Sequence, residues 1–427
     1  MRWRGGFRRL GRRHLVRSRA PGQLGLDGLN GFVAGMRTAF GAFVPAYLAG
    51  QGWTQAQIGL VLTAETVTSM LAQVPGGAFV DVTRRRRLVL GIAIRAAAAA
   101  ALAIAALPMQ LPVLLALVVH ALAGAIIAPG IAALTVAMVG RHDLGERLGR
   151  NVQFASIGSG AGAALMGLAA SAVSERAVFV LAALLAVPAL LSLWSLHPRR
   201  PRLRRRHDGP VPPGDAVEHH AAVRAVLADR RMQVFAACVV LFHFSSAALL
   251  AVAAAEITRR AGIKAGMVIA AFVIIPQVLV AVASPWVGRL AERIGRRPLL
   301  VVGFASLPLR AALFALVDDP YLLVPVQLLE GVAAAVFGVM LPLVAADLTR
   351  ESGRFTLSLG MLGLAGTLGA ALSTSVAGLI ATGYGVDAAF WTLAAAGLVA
   401  VTLVALAMPE TRVGPARDRT KPWWRLS

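Results

Sequence analysis

Cysteine is nearly absent from this 427-residue chain, whose single thiol, Cys238, lies within an apolar run. One thiol excludes a disulfide framework and any cysteine-based metal cluster as the source of stability. Acidic residues are scarce as well, 20 Asp and Glu against 42 Lys and Arg. Charged residues of both signs make up only 15% of the chain, against roughly 25% in a typical soluble domain. Too little charge is present to cover a water-facing surface, and 58% of the residues are hydrophobic, so the bilayer is the solvent that fits. Aromatic residues are only 6%, and the Ala, Gly, Leu and Val that replace them suit close helix packing in lipid.

What is present is a series of apolar stretches, each about the 20 residues that a membrane-crossing helix needs. Twelve are found, at 26–49, 55–79, 88–107, 111–139, 151–173, 177–196, 233–257, 265–287, 298–317, 320–346, 356–381 and 388–408. The expected fold is therefore an all-α membrane protein of twelve transmembrane helices in two six-helix bundles, residues 24–196 and 233–408. A basic tail (1–23), a Pro- and charge-rich linker (197–232) and a second tail (409–427) complete the division. With the N-terminus inside, 35 of the 42 Lys and Arg fall on one side of the membrane, the positive-inside pattern, which predicts cytoplasmic termini and a cytoplasmic linker. The net charge of +22 then reports topology, and the arginine-rich start reads as a solvated tail rather than a nucleic-acid arm. His207, His219 and His220 in the linker lack a tight ligand spacing, so no metal and no cofactor is expected.

The two halves echo each other. Gly77, Asp81, Arg85 and Arg86 follow the second stretch; Gly288, Glu292, Arg293, Gly295, Arg296 and Arg297 follow the eighth. Gly77 to Gly288 and Asp81 to Glu292 are each separated by 211 residues, the mark of a duplicated six-helix unit. A carboxylate at such a helix end is able to accept hydrogen bonds from the N-terminal amides of a neighbouring helix and to pair with Arg, forming a latch that exists in one conformation only.

With these loops the chain resembles the major facilitator superfamily over residues 24 to 408. That family's loop signature is Gly-x-x-x-Asp-Arg-x-Gly-Arg-Arg/Lys. The second copy here follows it closely with Glu292 for Asp, while the first has Val82 for Arg and Arg84 for Gly. The resemblance implies a secondary transporter without enzymatic activity, in which Asp81 and Glu292 hold the state open to the outside. It also implies that the first helix of each three-helix unit lines a central cavity.

Ionisable side chains within apolar spans are costly and mark function. Arg37, Glu65, Arg95, His120, His243, Arg310 and Glu330 are the ones set deep in the spans. Arg37, His120, His243 and Glu330 sit one on each cavity-lining span of the resembled fold, and Gln327 shares the helical face of Glu330. Arg37, Glu65, His120, His243, Gln327 and Glu330 are thus the expected substrate or proton pathway. Glu330 is expected to carry the proton with His120 as its pseudo-symmetric partner and Glu65 as the competing candidate, which Arg37 is expected to neutralise, and Arg95 and Arg310 are expected to snorkel or cap carbonyls. The fifth stretch half-meets the family's antiporter signature Gly-x-x-x-Gly-Pro-x-x-Gly-Gly, with Ala163 in the Pro position.

The resulting expectation is proton-coupled efflux of a small organic solute across a plasma (bacterial inner) membrane. The expected partners are that solute, protons and membrane lipid, without nucleic acid or an obligate protein partner. Uptake by a symporter or uniporter is the alternative within the class, and a transporter-like assembly factor or receptor the alternative outside it.

Overall fold

The computed structural model describes residues 23–139, 143–196, 224, 228–250, 252–253, 265–319, 321–350 and 352–412. The expected tails and the body of the 197–232 linker lie outside these residues. Within them the structure is helical: α1 (Gln23–Thr38), a π-helical segment (Ala39–Phe43), α2 (Val44–Gly50), α3 (Gln55–Val82), α4 (Arg86–Ala106), α5 (Gln110–Val139), α6 (Leu144–Ala172) and α7 (Glu175–Trp194) form the first half. The second half contains α8 (Arg230–Ser246), α9 (Ala265–Ile294), α10 (Arg297–Leu316), α11 (Leu323–Leu348), α12 (Phe355–Tyr384) and α13 (Val386–Ala407).

Every expected stretch carries helix, and among the described residues ten helices are long and apolar enough to cross a membrane. The first and seventh stretches fall outside that set for local reasons. The first is divided, because Pro45 at the start of α2 has no N–H to give the ladder and crowds the carbonyl one turn back. The chain absorbs the mismatch as a π-helical segment. The seventh is described as helix only through Ser246.

Other prolines (Pro75, Pro129, Pro188, Pro276, Pro285, Pro308, Pro342) lie inside helices, which bundle neighbours make tolerable in lipid. α3 begins with a capping box, Thr54 accepting from the N–H of Gln57 while the Gln57 side chain accepts from the N–H of Thr54, so its first orphan amides are satisfied before the apolar run starts.

Within the first half α3 packs on α5, α1 on α6 and α7, and α4 on α5 and α7. The second half repeats the arrangement, with α9 on α11, α8 on α12 and α13, and α10 on α11 and α13. The halves meet where α6 lies on α9 and α3 on α12. Side chains such as Leu71, Trp286, Leu379 and Leu406 stay exposed on the outer surface; in water that would drive aggregation, whereas against lipid tails it carries no penalty.

Candidate functional site

The two repeated loops form a matched pair of contacts at one end of the molecule. Asp81, in the last turn of α3 and 4% exposed, accepts hydrogen bonds from the N–H of Thr356 (3.1 Å) and of Leu357 (2.8 Å). Both amides belong to the first turn of α12, where four N–H groups lack intrahelical partners and the helix dipole favours a negative charge. Arg86 adds an attractive charge, and Arg84 and Arg85 remain exposed. Glu292 does the same in reverse, accepting from the N–H of Gly145 (3.2 Å) in the first turn of α6.

Backbones approach closely at both places. A Cβ on Gly77 would lie 2.2 Å from the Thr356 carbonyl oxygen, and one on Gly288 would lie 2.1 Å from that of Gly145. Those distances explain why the repeat keeps glycine four residues before each acid.

The Glu292 contact is embedded in a network that sequence reading missed. Arg296, 4% exposed, joins Glu292 (3.2 Å) to Asp347 in the last turn of α11 (2.9 Å). Glu410, just beyond α13, accepts from the N–H groups of Arg296 (2.9 Å), Arg297 (3.1 Å) and Arg412 (2.8 Å). Burial opposes ionisation of Glu410, but these three amides and the Arg296 charge outweigh it and hold its carboxyl below the ordinary value. Gly295 adopts φ +102 and abuts the Glu410 carboxylate, a conformation and a fit that only glycine meets without strain. Arg293 is exposed, and its carbonyl accepts from the Arg412 side chain at 2.6 Å.

In the first half Asp27, 2% exposed, takes Arg150 Nε at 2.9 and 3.0 Å and Arg147 at 2.8 Å. Arg147 continues to Asn151 (2.7 Å), which donates to Thr135 (2.8 Å). The i, i+3 spacing of Arg147 and Arg150 opposite a lone acid at the start of the first span was the signal for it.

Deeper in the bundle the expected pathway residues fall into two clusters. In the first half His120 of α5 is 9% exposed, and its Nδ1 lies 2.9 Å from Oε1 of Glu65 on α3. Phe40, in the π-helical segment, stacks on the imidazole with ring centroids 3.6 Å apart and planes 4° from parallel. Arg37 of α1 is exposed and feels the charge of Glu65, whose direct partner is His120.

In the second half Arg310 of α10, 4% exposed, pairs directly with Glu330 of α11. Its Nη2 donates to Gln327 Oε1 (3.2 Å), and Ser246 at the end of α8 donates to Glu330 (3.1 Å). His243 donates from Nδ1 to the Val239 carbonyl (3.0 Å), packs edge-on against Phe337 (5.1 Å) and feels the charge of Glu330.

Three expectations change on this geometry. His120 pairs with Glu65 and not with Glu330. Arg310, expected to cap carbonyls, is the counter-charge of Glu330, because the register of α10 against α11 brings the two together. Glu330 is therefore not the isolated, protonatable acid anticipated from its own helix. Arg95 is exposed with its guanidinium 5.7 Å from the Trp194 ring centroid, a perimeter position outside both clusters.

Two helical halves repeating one contact pattern, with charged pairs in the bundle and helix-end contacts between the halves, define a multi-pass membrane transporter of the duplicated type. A sequence profile of the Major Facilitator Superfamily matches residues 28–274 and 235–423, and the chain belongs to that family. Its members are transporters and not enzymes. It is 34% identical over 400 residues to the uncharacterized MFS-type transporter Rv2456c of Mycobacterium tuberculosis, covering 93% of this chain and 95% of that one. Among solved structures it resembles the proton:xylose symporter XylE, with TM-score 0.69, 13% identity and coverage of 92% and 95%. It also resembles the human organic anion transporter MFSD10, with TM-score 0.70, 17% identity and coverage of 90% and 98%. Those two likenesses are of fold.

Proposed function

We propose that the chain is a proton-coupled exporter of a small organic solute, working by alternating access in a plasma (bacterial inner) membrane. In this reading twelve spans cross the bilayer, with both termini and the 197–232 linker cytoplasmic. Asp81 and Glu292 are then the latches of the cytoplasmic side, made when the site faces outward and broken when it faces inward. Arg37, Glu65, His120, His243, Gln327 and Glu330 line the substrate or proton pathway.

The observation that carries proton coupling is the contrast between the two buried pairs. A carboxylate held by a guanidinium stays ionised, since Arg does not lose its proton in proteins. A carboxylate paired with an imidazole has a partner that, unlike guanidinium, is able to give up its proton. The proton is accordingly assigned to Glu65 and His120, and Arg310–Glu330 to a fixed charge pair beside the solute. The export direction is supported by the half-met helix signature, whose Gly158 and Gly162 pack on Gly31 and Gly35 of α1.

Proteoliposomes with an imposed pH gradient, screened with labelled organic solutes, test the reading. The wild type accumulates solute against the gradient, whereas Glu65→Gln and His120→Gln lose gradient-driven accumulation and keep exchange at equal concentrations, which need not release the proton. Full gradient dependence in Glu65→Gln overturns the assignment.

A further inference from the structure

The π-helical segment is an anomaly that solute binding does not require. It sits midway along the first span, between α1 and α2, and among the residues it buries is Phe40, 4% exposed. The Phe40 ring lies almost parallel over the imidazole of His120, 3.6 Å between centroids. Two neutral aromatic rings disfavour that face-to-face sandwich and prefer offset or edge-on contact, because their quadrupoles repel. A cation over a ring face is attracted instead. The arrangement thus suits the imidazolium, the form that Glu65 at 2.9 Å also favours.

A second feature lies just beyond the segment. The Tyr47 side chain of α2 is 2% exposed, and its hydroxyl has no hydrogen-bond partner among the described residues. An unsatisfied buried hydroxyl is costly, and a helix that holds one next to a π-bulge is placed to relieve it by rotating. π-helical turns inside α-helices occur frequently at functional sites.

We propose that Phe40 is a positioning residue for proton coupling: its ring holds the charged form of His120, and the π-helical segment presenting it is the joint through which that charge sets the bend of the first span. The inference rests on Glu65–His120 being the proton site. When His120 is charged, Phe40 is drawn onto it and the segment keeps its π geometry. When the proton leaves, the face-on stack turns from attractive to repulsive, and the segment is released to rotate α2 with Tyr47.

The other charged groups around His120 are few. Glu65 comes from α3 and Arg37 from α1. On α4, Arg86 and Arg87 stand in the first turn and Arg95 is turned toward Trp194. The titratable residues of α6, Glu146, Arg147 and Arg150, stand in its first two turns, and that of α12, Tyr384, is its last residue.

The test uses the full chain in lipid nanodiscs with isotope-labelled histidine, the His120 signal being the one lost in His120→Gln. Phe40 is replaced by 3,4,5-trifluorophenylalanine, which keeps the ring but weakens its negative face, and separately by Leu. Amide hydrogen exchange is followed over residues 36–47 as a function of pH. In the wild type, exchange in this segment changes with the same pH midpoint as the His120 signal, and in His120→Gln the change disappears. Fluorination moves both midpoints to lower pH, by about two- to fivefold in proton concentration for one cation–π contact, and Phe40→Leu moves them in the same direction.

Unmoved midpoints with the fluorinated ring overturn the role of Phe40 and leave the proton site standing. Exchange over 36–47 that ignores the protonation of His120 overturns the joint. If Glu65→Gln leaves the His120 signal unaltered, the pair itself fails, and the proton-site reading with it.

Discussion

Oδ2 of Asp81 accepts a 2.8 Å hydrogen bond from the backbone N–H of Leu357, 276 residues further along the chain. One carboxylate in the first half thereby caps a helix in the second, and Glu292 returns the contact to Gly145. The donors of both caps are backbone amides at helix starts, so the caps are made or broken as those helices move, which suits the proposed latch between the halves.

From this, Asp81→Asn removes a charge-assisted bond of about 1.5–3 kcal/mol and shifts the balance of states about ten- to a hundredfold. Transport is expected to fall while insertion and folding persist, and the Asp81→Asn/Glu292→Gln double variant is expected to close the latch end far less often. Double electron–electron resonance between spin labels placed near residues 84 and 354 measures it. A distance distribution in the double variant equal to that of the wild type would reject the latch.

The glycine partners of these acids make a sharper steric forecast. Gly77→Ala and Gly288→Ala place a Cβ within 2.2 and 2.1 Å of a backbone carbonyl oxygen, which no side-chain adjustment relieves. Both variants are expected to lose the closed latch end. Gly160→Ala in α6, where nothing lies within 4 Å of the added carbon, is expected to be tolerated. Transport and melting temperature in detergent separate the three, and equal behaviour of Gly77→Ala and Gly160→Ala would contradict the close approach.

Much of this was legible in the sequence, for identifiable reasons. Apolar runs of membrane length give the helices directly, and the latch residues showed themselves because glycine and acid recur at one offset, 211 residues. The side-chain pairs were not legible. Whether His120 meets Glu65 or Glu330 depends on how α5 slides and rotates against α3, and helical periodicity within one span carries no such information. Arg310 was misread for the same cause: a lone Arg in a span looks like a snorkelling one until a neighbouring helix supplies its carboxylate. Asp27 escaped notice because a single acid at the edge of an apolar run resembles a boundary marker, and Glu410 because it lies past the last span. The division of the first span at Pro45 was not read from the sequence, and that a π-helical segment rather than a kink absorbs it is a matter of packing.

Glu410 gives a pH dependence whose sign is fixed. Its carboxyl is held below the ordinary value of 4.5 in the folded state, so folding favours the ionised form. The stabilisation is complete above the ordinary value and is lost as pH falls through the lowered folded one. Wild-type melting temperature is therefore expected to drop on acidification below about pH 4.5, and Glu410→Gln to be less stable at pH 7 yet to show a smaller acid loss. Parallel melting curves for the two proteins from pH 7 to pH 3 would refute the assignment.

The Arg310–Glu330 pair makes the last forecast, and it distinguishes a fixed charge pair from a titrating one. Arg310 is almost wholly enclosed at 4% exposure, while the Glu330 side chain keeps 25%, so the two ends of the pair are unequal. Removing Glu330 leaves a guanidinium buried without compensation, a loss of about 3–5 kcal/mol. Removing Arg310 leaves a carboxylate that reaches solvent or takes up a proton, a smaller loss. Glu330→Gln is then expected to destabilise more than Arg310→Met, and the double variant to recover part of the loss, because replacing both members of a buried pair is often near neutral. Guanidinium retention also predicts that the cost of Glu330→Gln is the same at pH 6 and pH 8, since Arg stays charged throughout. Melting temperatures of the three variants in detergent at both pH values decide the matter. A double variant no better than the worse single one would show that the two charges act independently, and a cost of Glu330→Gln that fades at pH 6 would mean that Glu330 binds a proton in the wild type despite its partner.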